Sequence, residues 1–162
     1  MDTETLAVIA EINRAVIKFR GVYSVWSKKH GISYNEMLVL YTIRDNGFCT
    51  QKQICESYLL PRQTINHVII DMRERGLLKL SPENCTGREK AFVLSDEGKK
   101  YAAPFLKSLE GIENKAIDII GQENVRAAAE AIKKYSAALE MAKEMKMIQW
   151  HFTMVRRRNG SI

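Results

Sequence analysis

Hydrophobic residues recur at helical spacing over the first thirty positions of the chain. Residues three or four apart share one side of a helix, so this pattern predicts a long amphipathic helix from Leu6 to about Lys29. Gly31 follows directly, and glycine is typical of the position after a helix end. The apolar stripe of this predicted helix consists of Leu6, Ile9, Ile12, Val16, Phe19, Tyr23 and Trp26.

Two capping-box patterns, in which Ser or Thr is followed three residues later by Glu or Gln, predict the next two helices. Ser33 with Glu36 begins the first of them, and Thr50 with Gln53 begins the second. Both pairs can satisfy amide groups that a helix N-terminus leaves without partners. The predicted spans are 33–45 and 50–57.

The stretch "PRQTINHVIIDMRER" predicts a fourth helix, from Pro61 to Arg75, with Gly76 ending it. Proline suits a first helical turn because its missing N–H would have no partner there. One side of this helix is apolar and should pack inward, and the rest is an unusually mixed polar surface. The inward residues are Ile65, Val68, Ile69 and Met72.

After Gly76 the spacing of hydrophobic residues changes from helical to alternating. "LLKLSPEN" and "EKAFVLS" alternate and contain β-forming residues, and the turn-rich "SPENCTGRE" lies between them, which predicts a β-hairpin. Helical periodicity returns from Ser95 in two long helices divided near Gly121. Their apolar positions are Tyr101, Phe105, Leu109, Ile112, Ala116 and Ile120, then Val125, Ala128, Ile132, Tyr135, Leu139, Ala142 and Met145.

A short helix, a three-residue connection and a second helix resemble a helix-turn-helix, and a hairpin directly after it completes the layout of a winged helix. We therefore expect a mainly α fold with a small β-hairpin wing, flanked by long dimerisation helices. The outer apolar stripes are too long to bury against the middle of the chain, which favours a homodimer over a monomeric bundle. The expected regions are a winged helix-turn-helix DNA-binding domain at 33–94, a helical dimerisation region at 1–32 and 95–150, and a basic C-terminal tail at 151–162.

Charge permits a nucleic-acid partner without requiring one. The chain carries 25 Lys and Arg against 19 Asp and Glu, a net charge of +6. No apolar run is long enough to span a membrane, and "MDTETLAVIAEINR" lacks a signal pattern, so we expect a cytoplasmic protein. Three cysteines without paired spacing fit a reducing compartment.

Side chains that can read base edges crowd the first two turns of the fourth helix. Arg, Gln and Asn form paired hydrogen bonds with bases in the major groove. Positive charge near the hairpin tip suits phosphates or an adjacent minor groove. The alternative is an ordinary solvated helix face. The predicted DNA-binding residues are Arg62, Gln63, Thr64, Asn66, His67 and Arg73 on the helix, with Arg88 and Lys90 on the wing.

The segments "TQKQICESYLLPRQTINHVIIDMRERGLLKL", "SPENCTGREK" and "AFVLSDEGKKY" together resemble the MarR family of bacterial regulators. The last looks like the family's strand followed by "LTxxG", and the resemblance covers essentially 33–101. It implies a homodimeric transcription factor on a near-palindromic operator, often a repressor released by a small molecule. Two positions depart from the family pattern: Pro61 stands where a Ser or Asp caps the recognition helix, and Thr86 stands where the wing has an acid two residues before Arg88.

A small-molecule effector, aromatic or of another kind, would fit the expected cleft between the first helix, the second helix and the winged body. Aromatic and polar side chains supply the candidates, with core or interface packing as the alternative. The candidate effector-binding residues are Tyr23, Trp26, His30 and Tyr41.

Two cysteines and the basic tail raise further hypotheses. Cys49 precedes a helix N-terminus, where the dipole can lower a thiol pKa, and Cys85 lies in the expected exposed wing loop, so either could sense oxidants. The alternative is that Cys49 is an apolar staple residue, Cys55 belongs to the core and Cys85 is incidental. "RRR" at 156–158 could touch phosphates, with a solvated tail as the alternative.

No catalytic or metal signature appears. The sequence lacks a phosphate-binding glycine loop, a paired-histidine zinc motif and a nucleophile elbow, so we expect neither an enzyme nor a cofactor. His30, His67 and His151 are too far apart to suggest a metal site. The main rival function is a winged-helix module for protein contact without DNA binding, which salt-dependent binding to duplex DNA would distinguish.

Overall fold

The computed structural model describes the backbone of residues 2–159 and the side chains of residues 2–147. Within these residues it confirms a mainly α fold with a small antiparallel sheet. The helices are α1 Thr3–Lys29, α2 Tyr34–Asn46, α3 Gln51–Tyr58, α4 Arg62–Glu74, α5 Asp96–Ile120 and α6 Gln122–Asn159; the strands are β1 Cys49–Thr50, β2 Leu78–Leu80 and β3 Ala91–Leu94, with a 3-10 turn at Pro82–Asn84.

The chain is divided into two compact units, one ending at Leu109 and the other beginning at Glu110. The first contains α1 to α4, the sheet and the start of α5. The second contains the rest of α5 and α6, which continues as helix to Asn159. The arginines at 156–158, in the tail for which a phosphate contact is predicted, lie outside the described side chains.

Local caps begin the helices where the sequence predicts them. Thr50 and Gln53 form a complete capping box at α3. At α2 only half of the predicted box forms: the Ser33 hydroxyl accepts from the Glu36 N–H at 3.0 Å, but the Glu36 carboxylate turns to other partners. Helix α4 begins at Arg62 rather than Pro61, and Pro61 occupies the N-cap without a side-chain hydrogen bond.

The hairpin is part of a three-stranded sheet in the order β1-β3-β2. The register of the predicted hairpin pairs Leu78 with Leu94 and Leu80 with Phe92. Sequence analysis missed β1, in which Cys49 pairs with Phe92. A strand of two residues is too short to show alternation, and the sequence around it reads as a turn followed by a capped helix.

The core of the first unit lies beneath α4. Ile65, Ile69 and Met72 are buried as predicted, while Val68 is half-buried. Side chains of α2, α3, β2, β3 and the first half of α5 complete the same cluster. Burial of this apolar surface is the main force that fixes the orientation of α4.

Close backbone packing joins α5 to the segment that leaves α4. Gly98 lies in the first turns of α5, and a Cβ built on it would approach the Leu77 carbonyl oxygen to 2.0 Å. Only glycine can occupy this position without moving the backbone. The Ser95 hydroxyl reinforces the junction by donating to the Gly76 carbonyl at 2.6 Å.

Most of the apolar stripe on α1 has no cover within a single chain. Trp26 is buried at its C-terminal end, but Phe19 is 65% exposed and Val16 is also exposed. Within the second unit, Leu139 and Met145 of α6 are likewise exposed. These are large apolar surfaces that a soluble protein normally covers.

Candidate nucleic-acid interface

A groove of about 580 Å³ lies between α3, α4 and the wing, and we call it the α4–wing groove. Its walls combine basic, polar and apolar side chains. The lining residues are Gln51, Lys52, Cys55 and Glu56 from α3, Arg62, Asn66, Ile69, Ile70 and Arg73 from α4, and Arg88, Glu89, Lys90 and Phe92 from the wing.

Five of the eight predicted DNA-binding residues meet in this groove. Helical spacing places Arg62, Asn66 and Arg73 on one flank of α4, beside the buried face, and all three are exposed. Arg88 and Lys90 supply the opposite wall from the wing. The structure therefore brings these five predicted residues together in one groove. Their contact with DNA stays a prediction.

The other three predicted residues do not line the α4–wing groove. Gln63 and His67 are exposed, and helical spacing places them on the side of α4 opposite its buried face. Thr64 is half-buried on the far flank. Gln63 and His67 thus form an outer edge of the helix that can meet a different part of a ligand from the groove.

The tip of the wing is a tight turn. Thr86 and Glu89 exchange two backbone hydrogen bonds of 3.2 and 3.0 Å across Gly87 and Arg88. Gly87 has a φ of +58°, which glycine adopts without a Cβ penalty. The turn holds Arg88 at the exposed end of the hairpin.

Two contacts fix α4 against its neighbours along the groove. The Gln51 side-chain amide donates to the Arg62 carbonyl at 2.7 Å, which ties α3 to the first turn of α4. The Arg73 guanidinium lies 5.4 Å from the centre of the Phe92 ring, a cation–π contact to β3. Neither Gln51 nor Phe92 was predicted as a site residue, because only the folded arrangement brings them to α4.

Positive charge prevails in the α4–wing groove. Five cationic side chains line it (Lys52, Arg62, Arg73, Arg88 and Lys90), against the two carboxylates Glu56 and Glu89. Lys52 lies 4.0 Å from Glu56 on the exposed surface of α3. The excess of three charges favours an anionic ligand, and a groove between two walls concentrates that effect.

A polar network anchors the C-terminal end of α4. Arg75 Nη1 lies 3.1 Å from Glu36 Oε1 and 2.9 Å from Asp71 Oδ2. The Tyr101 hydroxyl donates to the same Glu36 oxygen at 2.8 Å. Burial raises the pKa of Tyr101, and its hydrogen bond to Glu36 raises that pKa further.

Three of the four candidate effector residues lie at the C-terminal end of α1: Tyr23 and Trp26 on its last turns and His30 at its C-cap. The His30 ring stacks on Trp26 with centroids 4.2 Å apart, and Tyr23 packs against the same core. The Trp26 indole N–H is buried and has no hydrogen-bond partner among the described side chains. Tyr41 lies on α2, where its ring contacts the Arg44 guanidinium at 3.8 Å.

The cysteines differ in accessibility. Burial raises the pKa of the Cys49 thiol to about 12, so the helix dipole does not make it a reactive thiolate. Cys85 was expected to be exposed but is half-buried; its Sγ donates to the Ser81 carbonyl at 3.3 Å and accepts from the Ala91 N–H at 3.4 Å. The loop before the wing tip folds over this thiol through the turn at Pro82–Asn84.

Comparison with known protein families identifies the winged helix. Residues 30–89 match the model of the MarR family. The winged-helix region of this chain is therefore similar to the MarR family. No curated protein matched the chain.

Solved structures share the fold well beyond the matched segment. A MarR family regulator from Neisseria meningitidis is 24% identical, with a TM-score of 0.77 over 85% of this chain and 97% of its own. A MarR/EmrR family regulator from an Acinetobacter species is 15% identical, with a TM-score of 0.67 over 87% and 99%. BpsR of Bordetella bronchiseptica, whose DNA binding is regulated by 6-hydroxynicotinic acid, is 18% identical, with a TM-score of 0.61 over 80% and 98%.

The described residues contain neither a cluster of metal ligands nor a membrane-spanning helix. No group of three or more His, Cys, Asp or Glu side chains there could hold a metal ion. None of the helices within the described part of the chain has the length and apolarity needed to cross a membrane.

Proposed function

We propose that this protein is a member of the MarR family, a cytoplasmic, sequence-specific regulator of transcription that binds double-stranded DNA through the α4–wing groove. The observation that carries the proposal is the convergence of Arg62, Asn66 and Arg73 with Arg88 and Lys90 in one basic groove. A solvated helix face would not need a second wall of cations opposite it. Duplex DNA is an anion long enough to engage both walls together.

The residues divide by task within this proposal. Arg62 and Asn66 project from the first two turns of α4, the part of a recognition helix that meets base edges, and Gln63 and His67 border them on its outer side. Arg88 and Lys90 neutralise phosphates or enter an adjacent minor groove. Thr64, being half-buried, contributes from the flank.

A homodimer accounts for the uncovered apolar surfaces. Exposed apolar residues occur along α1, including Val16 and Phe19, and along α6, including Leu139 and Met145. In a two-fold symmetric dimer, the apolar surface of one chain would pack against the same apolar surface of its partner. Two copies of α4 would then enter successive major grooves about 34 Å apart and read a near-palindromic operator.

Repression relieved by a small effector is the regulatory mode we propose. The candidate effector region is Tyr23, Trp26, His30 and Tyr41, of which Trp26 offers a buried indole N–H that bonds no acceptor in the described part of the chain. The structural relative BpsR supports this mode, since 6-hydroxynicotinic acid regulates its DNA binding. A small aromatic acid would match both the ring stack of Trp26 with His30 and the free donor.

Selection of bound sequences from random duplex DNA tests the proposal. We expect a palindromic consensus with half-sites one helical turn apart, and affinity that falls steeply with salt concentration. The Gln63→Ala/Asn66→Ala double variant should lose specific binding while retaining nonspecific binding. Lys133→Ala, on the exposed surface of α6, is the control and should bind as the wild type does.

Two results would contradict the proposal. Absence of any enriched sequence would favour a winged helix used for protein contact. Wild-type affinity of the Gln63→Ala/Asn66→Ala variant for the selected operator would show that α4 does not read bases through these side chains.

A further inference from the structure

Glu89 is an acidic residue at the centre of the basic α4–wing groove, one position from Arg88 and one from Lys90. We infer that Glu89 is a positioning residue, whose carboxylate holds the wing against the start of α3 so that Arg88 and Lys90 reach DNA. The inference rests on the proposed function and extends it to a residue that makes no favourable contact with DNA itself.

The partner of Glu89 is the N-cap residue of α3. The Thr50 hydroxyl donates a hydrogen bond to Glu89 Oε1. The same hydroxyl accepts from the Gln53 N–H at 3.0 Å, and the Thr50 N–H donates to Gln53 Oε1 at 3.3 Å. Because the capping role uses Thr50 Oγ1 as an acceptor, its single proton is available for Glu89.

Burial makes this contact costly to lose. Thr50 is only 8% exposed, so in the folded chain Glu89 takes the place of water as the acceptor for its hydroxyl proton. A buried donor without an acceptor is unfavourable. The wing is therefore held in the position that keeps the Glu89 carboxylate on Thr50.

The contact extends the sheet toward the wing tip. Thr50 pairs with Ala91 across β1 and β3, which is the last pair of that ladder on this side. Glu89 lies two residues further along the wing, where its backbone is bonded to Thr86 across the tip turn. Its side chain thus joins α3 to the part of the hairpin that carries Arg88 and lies beyond the strand pairing.

The charge of Glu89 and its proposed positioning role predict opposite changes in DNA affinity when the carboxylate is removed. A carboxylate in a groove that receives DNA repels phosphates, so its removal should strengthen binding if charge alone matters. If the carboxylate positions the wing, its removal should weaken binding, because Arg88 and Lys90 lose their fixed approach. The sign of the change therefore decides between the two roles.

The experiment measures affinity for the selected operator, its salt dependence and thermal stability for Glu89→Ala, Glu89→Gln, Thr50→Val and Thr50→Ser. We expect Glu89→Ala and Thr50→Val to weaken binding by about tenfold and to reduce the salt slope, as loss of wing–phosphate contacts does. Glu89→Gln and Thr50→Ser keep an acceptor and a donor, respectively, and should bind at least as well as the wild type. In an Arg88→Ala/Lys90→Ala background, Glu89→Ala should have no further effect.

Several outcomes would overturn the inference alone. These are tighter operator binding by Glu89→Ala, an undiminished effect of Glu89→Ala in the Arg88→Ala/Lys90→Ala background, or a lower melting temperature with unchanged affinity of the folded protein. Failure of the wild type to bind any duplex DNA would instead remove the proposed function. Faster amide hydrogen exchange at Thr86 and Glu89 in free Glu89→Ala would support the positioning role independently of DNA, and unchanged exchange would count against it.

Discussion

Arg75 Nη1 lies 3.1 Å from Glu36 Oε1, and this contact joins the end of α4 to the first turn of α2. Glu36 is only 6% exposed, and the Tyr101 hydroxyl of α5 donates to the same oxygen. The Arg75 guanidinium also lies 5.0 Å from the centre of the Tyr101 ring. Three helices are therefore connected at one carboxylate, just where the chain leaves the proposed recognition helix.

Loss of either partner of Glu36 should destabilise the fold. We expect Tyr101→Phe to lower the free energy of unfolding by about 1 kcal/mol, and Arg75→Ala by about 2–3 kcal/mol because a buried carboxylate loses its cation. Urea unfolding measures both. Tyr135→Phe is the control, since no hydrogen bond of its hydroxyl occurs within the described residues; equal effects of the two Tyr→Phe changes would contradict a role for the network.

Two helical glycines of α5 should respond in opposite directions to alanine. Gly98→Ala places a Cβ against the Leu77 carbonyl and should destabilise the protein by several kcal/mol, of the order of other overpacking changes. Gly111→Ala meets open space and should stabilise α5 by up to about 1 kcal/mol through helix propensity. Thermal unfolding of the two variants tests the pair, and a stable Gly98→Ala protein would refute the close approach of α5 to Leu77.

Cys49 should remain unmodified in the native protein. Its thiol is fully buried, and burial raises its pKa to about 12, so iodoacetamide at pH 8 should label it only after unfolding. Mass spectrometry of native and denatured samples gives the measurement. Native labelling of Cys49, or loss of operator binding on peroxide treatment of a Cys55→Ala/Cys85→Ala variant, would restore Cys49 as an oxidant sensor.

The same thiol predicts a pH dependence of stability. The pKa of Cys49 is higher in the folded protein than its ordinary value of 9.0, so the unfolded chain loses this proton first as the pH rises. Its contribution to stability is therefore complete below about pH 9 and is lost progressively towards pH 12. The free energy of unfolding of Cys49→Ala should fall less over this range than that of the wild type.

The helices could be predicted because their signals are local in sequence. Contacts between residues distant in sequence could not be predicted. The caps at Ser33 and Thr50 use residues three positions away, so the sequence contains both partners. The carboxylate of Glu36 instead bonds Arg75, 39 residues away, and Glu89 receives the Thr50 hydroxyl across the same separation. Capping-box spacing alone assigned Glu36 to the wrong role.

The sequence predicted which residue types form the candidate site, but not which side of α4 faces the wing. The polar side of α4 was recognised as one surface, yet only its flank at Arg62, Asn66 and Arg73 faces the wing. Which flank faces the wing depends on how Ile65 and Met72 pack on the core, and thus on the tertiary fold. Ile70 was assigned neither to the inward side of α4 nor to its polar surface, and only the fold shows that it lines the α4–wing groove.

Ile70 should read a thymine methyl group. It is 41% exposed, lines the α4–wing groove and lies one turn beyond Asn66 on α4. Replacement of thymine by deoxyuracil, which lacks the methyl, should weaken wild-type binding about fourfold at one position of each half-site, the value of one buried methyl group. Ile70→Ala should bind both operators equally, and Ile119→Ala, exposed on α5, should behave as the wild type does.

If α1 forms the homodimer interface, negative charge introduced on its apolar stripe should dissociate the dimer, whereas the same change of charge elsewhere on α1 should not. Val16→Glu/Phe19→Glu places two carboxylates on exposed apolar positions of that stripe, and we expect sedimentation equilibrium to give a monomer. Arg14→Gln/Lys18→Gln lowers the charge by the same two units at exposed positions on the opposite side of α1 and should leave a dimer.

The monomer should separate dimerisation from DNA reading. Because the α4–wing groove lies within one chain, the Val16→Glu/Phe19→Glu variant should still bind a single half-site weakly. It should lose the additional affinity that a full palindrome gives the wild type, since that gain comes from two linked recognition helices. A variant that stays dimeric, or a monomer that binds the full palindrome as tightly as the wild type, would refute dimerisation through this face of α1.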